Sequence, residues 1–161
     1  MGGFVFISKA YFSERQKFVE MLDVNNLEKQ STRFYLYINI EINGNSFYIP
    51  LRKHVDIRMG NIGYAVPSST KPFAGLDFRK ALIVNDKTYI EAPQHVNVAS
   101  SQMKNILNNM PKIEKLFNQY VNGYCKAARK KRATLDRLYK FSTLHNFHEE
   151  LGIVVNSKED E

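Results

Sequence analysis

From Phe34 to Ile42 apolar side chains alternate with polar-tolerant ones, the period of a half-buried strand. Asn43-Gly44 follows, a pair that accepts the positive φ angles of a tight turn, and Ser46 to Leu51 returns as the partner strand. Pro50 has no N–H to give to a ladder and is expected to end the pairing. The short apolar run Phe4 to Ile7 predicts a buried strand near the start of the chain. Ser13-Glu-Arg-Gln16 has the spacing of a capping box and predicts a helix that turns Phe18, Val19 and Leu22 inward.

Further along, Asp23 to Thr32 reads as a polar loop. Arg58 to Lys71, with Gly60, Gly63, Pro67 and the Ser68-Ser69-Thr70 run, reads as a long loop broken by a brief strand at Tyr64 to Val66. Loops of that length often carry function. Phe78 to Val84 and Thr88 to Ile90 predict a second hairpin across Asn85-Asp86-Lys87, and Ser100 a cap for a helix through Met103, Ile106 and Leu107. Pro111 restarts a helix in which Ile113, Leu116, Phe117, Tyr120, Val121 and Tyr124 keep the i, i+3, i+4, i+7 spacing of a buried face, with a bend expected at Gly123. Leu135 to Leu151 packs Leu138, Phe141, Leu144 and Phe147, and residues 156 to 161 read as a frayed tail. No internal repeat or low-complexity linker appears, so the 161 residues form a single domain.

Composition sharpens this outline. A hydrophobic content of 43%, with 9 Tyr and 11 Phe, suffices for a core of its own. The net charge is +7 and the pI near 9.4, which point to a polyanionic partner, with nucleic acid as the first choice. No segment approaches the roughly 20 apolar residues of a spanning helix, and the basic stretches have no lipid-facing stripe. Cys125 stands alone, so neither a disulfide framework nor a thiolate-rich metal site is expected, and a reducing cytoplasm fits. Met1 to Ile7 has neither the cationic start nor the long apolar run of a signal peptide, and Phe6 occupies the place where an N-myristoylation motif needs Ser or Thr.

Four groups of residues bear on chemistry. Arg52, Lys53 and His54 join two permanent cations to the side chain that titrates near neutral pH. Such a cluster at a strand end can be mere solvated surface, but it also supplies what RNA cleavage without a metal requires: a base for the 2′-hydroxyl, an acid for the leaving 5′-oxygen, and cations for the phosphorane. A like charge at Arg52 would also disfavour the ammonium of Lys53 and turn it toward proton transfer. Lys126, Arg129, Lys130, Lys131 and Arg132 crowd one or two turns, where like charges repel, and suit RNA phosphates rather than catalysis. His145 and His148 lie at i, i+3 but lack an evident third ligand, so a helix surface is expected there rather than zinc. Tyr35, Tyr37, Tyr48, Tyr64 and Tyr89 could stack on bases, although strand aromatics more often belong to the core.

The run TRFYLYINIEINGNSFYIPLRKHV, the later KPFAGLDFRKALIVNDKTYI, the helix SQMKNILNNMPKIEKLFNQY and the ending STLHNFHEELGI together resemble the toxins of type III toxin-antitoxin systems. The similarity is greatest to the TenpN and CptN branches and more distant to ToxN and AbiQ, and it spans nearly the whole chain. It implies an α+β fold, a strongly twisted antiparallel sheet with packed helices, similar to ToxN and MazF-like toxins. It also implies a metal-independent endoribonuclease with no cofactor. Such an enzyme would be held inactive by a small structured antitoxin RNA, cut by the toxin from a repeat precursor, in a hetero-oligomeric protein–RNA assembly. Several members act in abortive phage defence.

Carried over by residue, the resemblance implies a catalytic set of Lys9, Arg33, Arg52, Lys53 and His54. It adds Tyr11 beside Lys9, and the candidate RNA contacts are then Tyr11, Arg58 and Lys71, the latter two at the ends of the long loop, besides the cluster Lys126, Arg129, Lys130, Lys131 and Arg132. The chain departs from its relatives at one point: ToxN-like members carry a Thr-Ser pair with a nearby Lys at this strand end and TenpN-like members a Ser after the Arg, where this sequence has Lys53. Gly75-Leu76-Asp77-Phe78 matches a family motif whose structural reading is a turn glycine and an Asp77 bonded to local backbone. A non-catalytic basic RNA-binding module is the alternative reading of the same residues.

Overall fold

The computed structural model describes residues 3–56 and 61–154. Among these residues seven short strands, β1 (Phe4–Ile7), β2 (Tyr35–Ile38), β3 (Phe47–Arg52), β4 (Gly63–Ala65), β5 (Gly75–Asp77), β6 (Leu82–Ile83) and β7 (Ile90–Glu91), form one antiparallel sheet in the order β4-β5-β3-β2-β1-β7, with β6 also against β3. Two short helices, α1 (Lys9–Ser13) and α2 (Leu27–Ser31), and two longer ones, α3 (Ser100–Asn108) and α4 (Met110–Arg129), complete the α+β fold.

The hairpin forms as its alternation predicts, with β2 on β3 in the register Tyr35↔Pro50 to Ile38↔Phe47. Asn43 and Gly44 take φ of 54° and 73°, and the Asn45 amide donates to the Ile42 carbonyl at 3.1 Å, closing the turn. Pro50, however, does not end the pairing. The Leu51 amide bonds the carbonyl of Phe34, the residue just before β2, so the alternating backbone turns the nitrogen of Pro50 to the opposite edge. On that edge β6, paired at Tyr48, gives way to β5, paired at Leu51, and the missing N–H falls in the gap between them.

Helix α4 covers the sheet with the apolar stripe read from its spacing: Ile113, Phe117, Tyr120, Val121 and Tyr124 are buried, joined by Cys125 and Ala128. Phe117 meets Phe47 of β3 and Phe78 edge-on at 5.5 and 5.3 Å between ring centroids. Pro111 sits in the first turn, where its missing N–H would be unpaired anyway. Gly123 is a packing position within an unbroken helix: a Cβ there would collide with the Tyr139 hydroxyl.

Three local readings are corrected. Ser13 ends α1 instead of opening a helix; its hydroxyl donates back to Ala10, Glu20 takes a positive φ, and Val19 is half exposed. The stretch read as a polar loop holds α2, capped by the Asn26 side chain, which accepts from the Lys29 amide. The second hairpin does not exist, because β6 pairs with β3 and β7 with β1. Asp86 accepts from the Thr88 amide and starts a 3₁₀ turn that carries the chain away from β6. Toward the C-terminus Leu144, Phe147 and Leu151 are buried as expected, whereas Phe141 is exposed over nearly half of its surface. The tail at 156–161 lies outside the described residues.

Candidate active site

The β2–β3 register builds the site. Continued past Tyr35↔Pro50 it sets Phe34 against Leu51, whose amide bonds its carbonyl at 3.0 Å, and so brings Arg33 beside Arg52. On the other side Arg52 pairs with Gly75 of β5, where a Cβ would stand 2.8 Å from the Tyr64 carbonyl, so glycine lets β4 and β5 close up behind the strand end. The chain then bends at Lys53, and His54 bridges to Phe73, its ring 5.4 Å from the exposed phenyl ring.

Two arginines side by side repel, and each has its own counter-charge. The Arg33 guanidinium donates to Asp23 Oδ2 at 2.8 Å, and Lys29 stands 3.5 Å from Asp23 Oδ1. Partial burial pushes the Asp23 carboxyl up, but the hydrogen bonds and charges of Arg33 and Lys29 outweigh it and hold the group below the usual carboxylate range. Arg52 Nη1 donates at 2.7 Å to Asp77 Oδ2, and Asp77 is wholly buried. The same carboxylate accepts from the Arg79 amide and Nε, both at 3.1 Å. Asp77 therefore bonds local backbone, as the sequence suggests, and in addition fixes Arg52.

These side chains line an open cavity of about 450 Å³ that gathers Lys29, Arg33, Arg52, Lys53, His54 and Lys71 around Asp23, the single lining carboxylate among the described residues. Phe34, Leu51, Arg52, Lys53 and Lys71 also border a second cavity of about 210 Å³ that runs toward the start of α3. A larger cavity of about 580 Å³ lies between α1 and α2, but its one cation, Arg15, is held by the Tyr11 carbonyl and lies over the Tyr11 ring. Among the described residues no three His, Cys, Asp or Glu side chains gather as metal ligands.

The candidate residues thus divide. Arg33, Arg52, Lys53, His54 and Lys71 come together. Lys9, on α1, lines neither cationic cavity and pairs with Glu28 of α2 at 2.6 Å, next to the α2 residue Lys29 in the chain. Tyr11 is a correction: it is 1% exposed and its hydroxyl donates to the Ile83 carbonyl, so the ring has no face to offer RNA. Tyr35 and Tyr48 are likewise core. Arg58 lies outside the described residues. Lys126, Arg129, Lys130, Lys131 and Arg132 are exposed at the end of α4 and line neither cavity. His145 and His148 both meet the Tyr124 hydroxyl at 2.7 Å. Sequence reading missed Asp23, Lys29 and Phe73; the Asn25-Asn26 pair before Leu27 is the capping signal that would have found α2 and, with it, Lys29.

A solved structure of a bacterial type III toxin-antitoxin system, in which a non-coding RNA pseudoknot inhibits the toxin, matches with a TM-score of 0.55 at 17% identity over 74% of this chain and 77% of that one. The chain shares that fold. No family model and no curated protein matches it. Among the described residues no helix is long and apolar enough to cross a membrane.

Proposed function

We propose that the protein is a metal-independent endoribonuclease of a type III toxin-antitoxin system, inhibited by a structured antitoxin RNA. The observation that carries this reading is the cationic cavity at the end of β3, on a fold shared with a toxin inhibited by an RNA pseudoknot. Phosphodiester cleavage by the substrate's own 2′-hydroxyl needs no protein nucleophile. The 2′-oxygen loses its proton and attacks phosphorus, the 5′-oxygen leaves with a proton, and a 2′,3′-cyclic phosphate and a 5′-hydroxyl result.

His54 brings to the cavity an imidazole, a side chain that can both accept and give a proton, and Lys53 stands next to it as a second donor. Arg33 and Arg52, held by Asp23 and Asp77, present fixed positive charge to the phosphorane oxygens, and fixed donors stabilise charge that develops in the transition state. In this reading the antitoxin RNA occupies the same cavity as substrate, the toxin matures it from a repeat precursor, and the two assemble as a protein–RNA hetero-oligomer in the cytoplasm.

The purified protein, freed of RNA, should cut RNA in excess EDTA and leave 2′,3′-cyclic phosphate and 5′-hydroxyl ends. Strict dependence on added metal would overturn the mechanism. Binding without any cleavage would favour a non-catalytic RNA-binding module.

A further inference from the structure

Beside the cationic cavity lies a smaller one that the proposed chemistry leaves unused. The two share Phe34, Leu51, Arg52, Lys53 and Lys71, and the smaller is closed by Ala74, Val98, Asn97 and Gln102. Its walls change character across the shared border. The phosphate side carries the charges, whereas the far side is apolar and amide.

Phe34 stands at that border. Phe6 covers one side of its ring, stacked at 5.1 Å and 30°, and the ring also lines both cavities. Gln102 is a wall: it is buried, its Nε2 donates to the Val66 carbonyl at 2.7 Å, and its Oε1 accepts from the Ala99 amide. Both ends of that amide are spent. Asn97 is different, an exposed lining side chain with no hydrogen bond to another described residue, so its donor and acceptor are both available. An aromatic ring, apolar walls and one unspent amide within reach of a phosphate-binding cluster are what a single nucleobase requires: stacking for its face and paired hydrogen bonds for its edge.

We propose that this second cavity is a nucleobase subsite, in which Asn97 reads the edge of the base adjoining the phosphate held by Arg52 and Lys53. The proposal rests on the nuclease reading only in calling that phosphate the scissile one. Asn97 is a specificity residue, and its removal should alter which base is preferred more than how tightly RNA is held.

The test uses 2′-O-methyl RNA hexamers of A, of C and of U, which cannot be cleaved for want of a free 2′-hydroxyl. RNA-free wild-type protein should bind the best of the three about tenfold or more tighter than the worst, the order expected when a paired amide contact discriminates bases. Asn97→Ala should bring that spread to about twofold, stacking alone being tolerant of sequence, while the weakest affinity stays unchanged. Asn97→Asp, which can only accept, should reorder the three. A spread that survives in Asn97→Ala, or a wild type with no spread, overturns the subsite. Sequencing the ends of cleaved random RNA separates this from the parent reading. Cleavage with a preference that persists in Asn97→Ala keeps the nuclease and removes the subsite. No cleavage, with a spread that collapses in the variant, removes the nuclease and keeps the subsite.

Discussion

Arg52 depends on Asp77 as much as on its own place in the strand. A buried carboxylate that joins Arg52 to Arg79 and caps the 3₁₀ turn at Phe78–Lys80 leaves two guanidinium groups uncompensated when it is removed. Asp77→Ala is therefore expected to cost about 3 to 5 kcal/mol of stability, the range for breaking a buried ion pair from one side. Arg52→Ala leaves Asp77 still paired with Arg79 and should unfold less readily in urea than Asp77→Ala. The two variants separate a structural role from a chemical one. If the proposed site is right, Arg52→Ala, Lys53→Ala and His54→Ala keep the fold, and a residue that moves a proton should lose about a hundredfold or more in cleavage rate. Normal cleavage by all three would move the site elsewhere. Lys53→Ser restores the residue that the resemblance places there, and a rise in its rate would assign the chemistry to a serine and not to the ammonium.

Between elements, the most specific polar contact is the one that ties the C-terminal segment to α4. His145 Nε2 lies 3.1 Å from the Lys140 carbonyl and must carry hydrogen to donate to it, so the neutral ring offers Nδ1 as an acceptor for the Tyr124 O–H. The phenol oxygen then accepts from His148 Nε2. Burial pushes the Tyr124 phenol up and keeps it a donor. Burial, then the nearby His145, holds His148 below the ordinary histidine value of 6.5. The folded state therefore binds the His148 proton less readily than the unfolded chain does. That contribution is complete above about pH 6.5 and is lost as the pH falls below it, toward the lower folded value. The urea midpoint should drop between pH 7 and pH 5 by less in His148→Gln than in the wild type; equal drops would show that His148 is not responsible. Elements with long, regular patterns were legible in the sequence: the β2–β3 hairpin with its Asn43-Gly44 turn, and the buried stripe of α4. Short ones were not. Helices of five residues such as α1 and α2 hold too few positions to set a period, and Ser13-Glu-Arg-Gln16 imitates a cap where the chain is leaving a helix. Strand partners such as β6 with β3 depend on contacts far apart in the chain, which no local pattern encodes. The same division holds in the candidate site: Arg52, Lys53 and His54 are adjacent and stand out in the sequence as a cluster, whereas Asp23 and Asp77 meet the arginines only through the fold.

At the scale of the whole molecule, two places gather several cations each. One is the cavity at the end of β3; the other is the end of α4, where Lys126, Arg129, Lys130, Lys131 and Arg132 are exposed and border neither cavity. Part of the second group has a structural reason to be there, since cations in the last turn oppose the partial negative charge of the helix C-terminus. That accounts for Lys126 and Arg129. It does not account for Lys130, Lys131 and Arg132, which follow the helix, with Lys131 in the left-handed region at φ 58°. If the structured RNA uses these three while a short substrate is held by the cavity alone, the two RNAs respond differently to their loss. Replacing them by Ala should therefore weaken binding of the structured RNA and lower the slope of log affinity against log salt by about 0.7 to 0.9 for each phosphate that the protein no longer neutralises. Cleavage of a short RNA at Arg52 to His54 should be unchanged by the same replacement. A salt slope equal to that of the wild type, with the protein–RNA complex intact in size-exclusion chromatography, would make the cluster a solvated helix end and leave the cavity at β3 to carry the electrostatics of RNA binding alone.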